Sequence, residues 1–199
     1  MNKLKLKKTN DGFTLVELIV VIVILAVLVG VTIGGIYVWV NKARMATDLN
    51  NAEAIETTCL TLNTDMEIWR AVKDTSANLY ISWGLGPVKF DETATNLVGR
   101  GSNYNVYHSK HLAFDNTGAV CWEGVDITDE AATLICKKIA EKFPEGLPAP
   151  KTGTNFSLSI DTSPDGMLRV KCLAHKVKDG EAWWYNKHDS DIYTEDITD

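Results

Sequence analysis

Gly12-Phe13-Thr14-Leu15-Val16-Glu17, followed by the run from Leu18 to Val40, is the stretch on which the reading of this chain turns. From Leu18 to Val31 every residue is apolar or glycine, and beyond it only Thr32, Gly34, Gly35, Tyr37 and Trp39 interrupt the pattern. At ~1.5 Å per residue a helix over 18–40 is roughly 34 Å long, enough to cross a hydrocarbon core of about 30 Å. The run therefore predicts a membrane-spanning helix. Glu17 stands immediately before it, where an uncompensated carboxylate costs on the order of 2.5–3.5 kcal/mol to insert. A carboxylate kept in that place calls for a cationic partner.

The residues upstream indicate where such a cation arises. Residues 1–12 hold Lys3, Lys5, Lys7 and Lys8 against Asp11 alone, a bias that keeps this end in the cytoplasm. A peptidase cutting between Gly12 and Phe13 would create an α-amino group four residues before Glu17, on this chain or on a neighbour. Two plainer readings compete. A secretory signal peptide has an apolar region of about 7–15 residues ending in a small-x-small site, and this run is longer and lacks one. An unprocessed single-pass anchor accounts for the span but leaves Gly12 and Glu17 as coincidences.

The hexapeptide, its basic leader and the apolar helix together resemble the prepilin signature of type IV pilins and pseudopilins. The resemblance covers about 30 residues, and the remainder matches only in architecture. It implies that an aspartic prepilin peptidase cleaves after Gly12 and N-methylates Phe13, and that Glu17 pairs with the N-terminal amine of an adjacent subunit in a growing filament. It implies as partners other copies of the subunit, minor pilins, the peptidase, a membrane assembly platform with its ATPase, and membrane lipids before assembly. The location it implies is the cytoplasmic membrane as a single-pass prepilin, then an extracellular pilus. One departure is that many pilins carry a proline within the span, whereas here Gly34-Gly35 is the point at which a helix loosens.

This divides the chain into a cleaved leader over 1–12, a transmembrane and filament-core helix over 13–40, and an extracytoplasmic globular domain over 41–199 that includes the outer half of the spine helix. With 199 residues, 45% hydrophobic and 23% charged, the third part is long enough for one true core. The formal charge is −6. Losing the leader would make it about −9, which argues against nonspecific nucleic-acid binding.

After Gly35 the next glycine is Gly84 and the first proline is Pro87, so the helix is free to continue toward Val72–Ser76. Ala52, Ile55, Cys59, Leu62, Met66, Trp69 and Val72 recur at spacings of three and four, which predicts one buried face including Met66 and Trp69, with Asp48, Asn51, Glu53, Asp65, Glu67 and Lys73 largely off it. An irregular connection follows, with Leu79–Trp83 as a short strand and Asn96–Asn103 as loop. Leu112-Ala113-Phe114 and Ala119–Trp122 read as a hairpin around Asp115-Asn116-Thr117-Gly118. Thr128 caps a helix reaching Phe143 and stopped by Pro144. Phe156–Ile160 and Met167–Leu173 alternate as strands, and Trp183-Trp184-Tyr185 suggests one more before an acidic tail.

The fold class expected is α+β, a long N-terminal helix whose outer half packs on an antiparallel sheet of about four strands, with a second helix inserted. That insertion resembles type IVb pilins, whereas the short leader and Phe13 resemble type IVa, and the subclass stays open.

Cys59, Cys121, Cys136 and Cys172 are an even count in a domain placed outside the cytoplasm, which suggests disulfides. Resemblance to type IVb pilins implies Cys136 with Cys172, and with it Cys59 with Cys121. Buried free thiols are a second reading, and a zinc site on Cys172 and His175 a third. His108 and His111 flank Lys110 in an expected loop, where a solvated role outweighs a metal pair. Asp189, Asp191, Glu195, Asp196 and Asp199 lack the glycine turn and spacing of a calcium loop. Trp122, Trp183 and Trp184 would suit a carbohydrate-binding surface if exposed, though strand tryptophans are usually core. No nucleophile-base constellation and no phosphate loop appears, so neither an enzyme nor a bound cofactor is expected. The function expected is a structural pilus subunit serving adhesion, motility or DNA uptake, ahead of a pseudopilin of a type II secretion or competence machine and of a membrane-anchored binding module.

Overall fold

The computed structural model describes residues 13–84, 86–101, 103–114, 116–152 and 155–175, with all their side chains except those of residues 31–35, 112–114, 120 and 175. The chain divides into two units, one ending at Lys42 and one beginning at Ala43. A single helix, α1 (Leu15–Leu60), contributes to both.

In the first unit the apolar side chains of α1 are exposed around the helix: Leu15 by 74%, Leu28 by 57% and Trp39 by 77%. A helix that is apolar on all sides belongs against lipid or other helices, because water gives its surface nothing to offset the ordering. Among the described residues no helix is long and apolar enough to cross a membrane; the described side chains stop at Gly30 and resume at Ile36.

In the second unit α1 becomes one-sided. Ala52, Ile55 and Cys59 are buried, Met45 and Leu49 pack against them, and Leu62 continues the row. Asp48 falls on this same face and is only 2% exposed, contrary to its expected place off the stripe. Its carboxylate is satisfied by the Lys151 N–H at 2.8 Å, the Thr152 N–H at 3.1 Å and the Thr152 hydroxyl at 2.7 Å. These bonds fasten the proline-rich segment to the helix. Asp48→Ala should therefore lower the unfolding free energy by ~2 kcal/mol, since three charge-assisted bonds from part-buried donors are lost; denaturant titration of the full chain checks this, and a loss within about 0.5 kcal/mol would show that these bonds do not fasten the segment.

The spine does not continue to Val72 as one helix. After Leu60 the chain tightens into a 3₁₀ turn (Thr61–Thr64), Asp65 becomes extended, and α2 (Met66–Val72) starts afresh with Asp65 Oδ1 accepting the Glu67 and Ile68 N–H groups. This break rotates the buried face. Ile68 and Val72 point inward, while Met66 is 58% exposed and Trp69 37%, correcting their expected core placement. Trp69 instead closes the turn 163–166: its indole N–H donates to the Asp165 carbonyl at 3.0 Å, and its ring lies against Gly166, whose φ of +79° and missing Cβ leave it room.

Among the described residues the sheet has six strands, rather than about four, all antiparallel: β1 (Ala77–Trp83), β2 (Gly99–Arg100), β3 (Tyr104–Phe114), β4 (Val120–Glu123), β5 (Asn155–Thr162) and β6 (Leu168–His175). Their order is β2-β3-β1-β5-β6, with β4 hairpinned onto the far end of β3. The expected short strand Leu79–Trp83 belongs to the central β1, paired on both edges. Its alternation explains this: Ala77, Leu79, Ile81 and Trp83 are buried on one face, and Asn78, Tyr80 and Ser82 take the other. Residues 104–111, expected as loop in part, are the first two thirds of β3.

Between β4 and β5 runs α3 (Asp129–Lys142), capped by Thr128 Oγ1, which accepts the Ala131 N–H at 3.2 Å. Its Ile135, Cys136 and Ile139 join Ile55, Leu62, Ile68 and the inner sheet residues Leu79, Ile81, Phe156, Leu158 and Ile160 in one core. Trp83 anchors one end, its ring 5.4 Å from that of Phe156 and its N–H donating to the Pro148 carbonyl at 2.9 Å. Lys138 ties α3 to α2 through Glu67 at 3.1 Å and Asp65 at 3.4 Å. The Trp183–Tyr185 strand and the acidic tail lie outside the described residues.

Candidate functional site

Two of the residues singled out by the sequence, Phe13 and Glu17, sit at the start of α1. Thr14 precedes the helix, and its backbone N–H and its hydroxyl both donate to Glu17 Oε2 at 2.8 Å. The Glu17 N–H returns a bond to Thr14 Oγ1 at 3.3 Å. This reciprocal pattern is a capping box, stabilising the helix start by about 1 kcal/mol. It was legible as Thr-x-x-Glu before an apolar run, a signal the prepilin reading of Glu17 passed over. The carboxylate thus has a partner in its own chain, and the negative group also complements the positive end of the helix dipole. Phe13, one residue upstream, is 87% exposed. Gly12 and the leader lysines lie outside the described residues.

All four cysteines are free thiols, with Cys59, Cys136 and Cys172 buried and Cys121 partly exposed on β4. Cys59 of α1, Cys136 of α3 and Cys172 of β6 belong to one buried core, whereas Cys121 stands outside it. The backbone N–H of Cys172 donates to Glu56 Oε2 at 3.1 Å, one helical turn before Cys59. Burial pushes the Cys59 and Cys136 thiols up to about 12, and moves Cys172 upward as well. Thiols so rarely ionised react slowly. Native full-length protein treated with a thiol reagent near neutral pH should label Cys121 fast and the other three slowly, with all four labelled after unfolding without reductant; fewer than four would reveal a disulfide.

His108 and His111 belong to β3, not to a loop. The His111 ring reaches the Thr162 carbonyl at 3.5 Å. His108 stands between two carboxylates, Asp126 at 3.0 Å and Asp129 at 2.8 Å. Among the described residues no group of three or more His, Cys, Asp or Glu could hold a metal ion. The side chain of His175 and the acids Asp189, Asp191, Glu195, Asp196 and Asp199 fall outside them. Trp122 is 59% exposed, against the usual expectation for a strand tryptophan, while Trp183 and Trp184 are outside the described residues.

Comparison with known families places a prokaryotic N-terminal methylation motif at residues 7–33. This is the signature of type IV pilins and pseudopilins, and it contains Gly12, Phe13, Thr14 and Glu17. No curated protein and no solved structure matches the chain.

Proposed function

We propose that the chain is a structural, noncatalytic subunit of a type IV pilus. Made as a membrane-anchored prepilin, it is cut after Gly12 by a prepilin peptidase, methylated on Phe13, and drawn from the cytoplasmic membrane into a helical surface filament whose core is the helix over 13–40. The observation that carries the reading is the methylation motif at 7–33 running directly into a capped helix whose apolar side chains are exposed all round. Such a surface suits lipid before assembly and neighbouring helices afterwards. The second unit, with its six-stranded sheet and inserted α3, supplies a folded outer domain large enough to form a filament surface.

A pseudopilin of a secretion or competence machine is the second reading, because the same motif serves both. Shearing cells that express the chain and identifying the subunit of the released filaments by mass spectrometry separates the two. Abundant long filaments built of this chain, beginning at methylated Phe13, are expected. Processed protein confined to the cell envelope, with no sheared filament containing it, would turn the assignment to the pseudopilin.

A further inference from the structure

His108 pairs opposite Leu79 in the β3–β1 ladder, on the sheet face that carries the core. Its ring is 13% exposed, with Nδ1 3.0 Å from Asp126 Oδ1 and Nε2 2.8 Å from Asp129 Oδ1. A neutral imidazole has one N–H and one lone pair, so it donates to one carboxylate and turns its lone pair on the other. Only the imidazolium satisfies both contacts.

The two aspartates are not peripheral. Asp126 Oδ1 also accepts the N–H of the buried Ile127 at 2.9 Å, on the entry to α3. Asp129 is the first residue of α3, and its other oxygen accepts from Asn96 Nδ2 at 3.1 Å. One turn on, Thr133 Oγ1 accepts the Leu97 N–H at 3.0 Å. Residues 96–98 lead directly into β2, a two-residue strand that, among the described residues, pairs with β3 alone. The contacts therefore form one series, from His108 through Asp129 and Asn96 to β2.

We propose that His108 is a proton-operated latch: as imidazolium it clasps Asp126 and Asp129 and holds the N-terminal corner of α3 and the short strand β2 against β3, and on losing its proton it releases one carboxylate and loosens that corner. The charges acting on the ring are Asp126, from the segment entering α3, and Asp129, from α3 itself. From β1 the facing residue is the apolar Leu79, and the segment before β2 offers the neutral Asn96. Lys110 on β3 and Glu130 on α3 are exposed. Burial works against the charge, but the hydrogen bonds to Asp129 and Asp126 outweigh it and hold the His108 pKa above its ordinary 6.5. A histidine raised in the folded state contributes stability that is complete below the unfolded value and is lost as pH rises through the folded one. Asp129, held below its ordinary value mainly by the same bond, loses its share only at acid pH, so the latch is closed between the two. Asp129 is half exposed, so solvent protons reach the pair.

The test uses full-length protein in detergent micelles. Carbon-labelled histidine followed by NMR should show His108 titrating with a midpoint above 6.5. Amide exchange at 96–100 and 126–131, corrected for the intrinsic rate, should lose protection as pH rises through that midpoint, by up to about tenfold for each unit the midpoint is raised. His108→Gln, which keeps a neutral donor, should be less protected at low pH and show a flat profile. A wild-type midpoint at or below the ordinary value overturns the latch, as does an unchanged pH-dependent loss in His108→Gln. Should that variant fail to fold, the wild-type titration decides alone.

Discussion

Glu17→Val is expected to abolish filaments while leaving the subunit in the membrane and cleaved after Gly12. In a filament the helices over 13–40 would pack without water, and a carboxylate there needs a charge partner. On the proposed processing, the nearest cation that the chain itself would create is the new α-amino group of Phe13 on an adjacent copy. Removing one member of such a buried pair costs about 3–5 kcal/mol, because the other charge is left uncompensated. The capping box gives Glu17 a second role, and magnitudes separate the two. Losing the cap costs about 1 kcal/mol of helix stability. Thr14→Ala, which removes the hydroxyl that bonds to Glu17 but spares the carboxylate, should therefore still assemble, with fewer filaments at most. Glu17→Gln keeps an acceptor for the Thr14 N–H but has no charge, and should fail nearly as badly as Glu17→Val. The comparison requires cells lacking the native copy, scored for membrane level, cleavage and sheared filaments. If Thr14→Ala fails as completely as Glu17→Val, the carboxylate acts as a cap and the intersubunit pair is lost as an explanation.

Gly12→Leu should leave the full-length chain in the membrane, uncut and unmethylated. A peptidase must bring its catalytic groups against the backbone at the scissile bond, and a glycine there has no side chain to hold it off. A leucine puts a branched side chain in that gap. The retained leader would keep Lys3, Lys5, Lys7 and Lys8 beside the start of the helix, and drawing those charges out through the hydrocarbon would oppose extraction into a filament. Intact mass measured on purified membranes reads the result directly. A variant that still yields a methylated Phe13 terminus and normal filaments would rule out this cleavage site.

Local signals carried much of the architecture. The cap at Thr128, the stop at Pro144, the hairpin around Gly118, and the alternating runs that became β5 and β6 each depend on residues a few positions apart, so a linear reading finds them; the Thr14 cap is equally local but is hidden behind the prepilin reading of Glu17. The prepilin motif is of the same kind: Gly12, Phe13 and Glu17 lie within six residues of one another, and the match at 7–33 lies wholly within one stretch. The sequence by itself therefore determined where the spine helix begins, that it is apolar before it is amphipathic, and that the chain ends up as helix on antiparallel sheet.

Tertiary structure decided what depends on distant partners. Residues 104–111 have one buried aliphatic side chain, Val106, and become strand because β1 presents a full ladder to them. The cap that restarts the helix at Asp65 is local, but the face α2 then presents is held by distant groups, the Asp165 carbonyl that takes the Trp69 N–H and Lys138 of α3 beside Asp65 and Glu67. Asp48 could join the buried face only because Lys151 and Thr152, more than a hundred residues away, donate to it. His108 reads as a surface histidine until α3 folds Asp126 and Asp129 against it. For Asp48 and His108 the reason is the same: an isolated polar group is costly to bury and inexpensive once paired, and the pairing exists only after the chain has closed on itself.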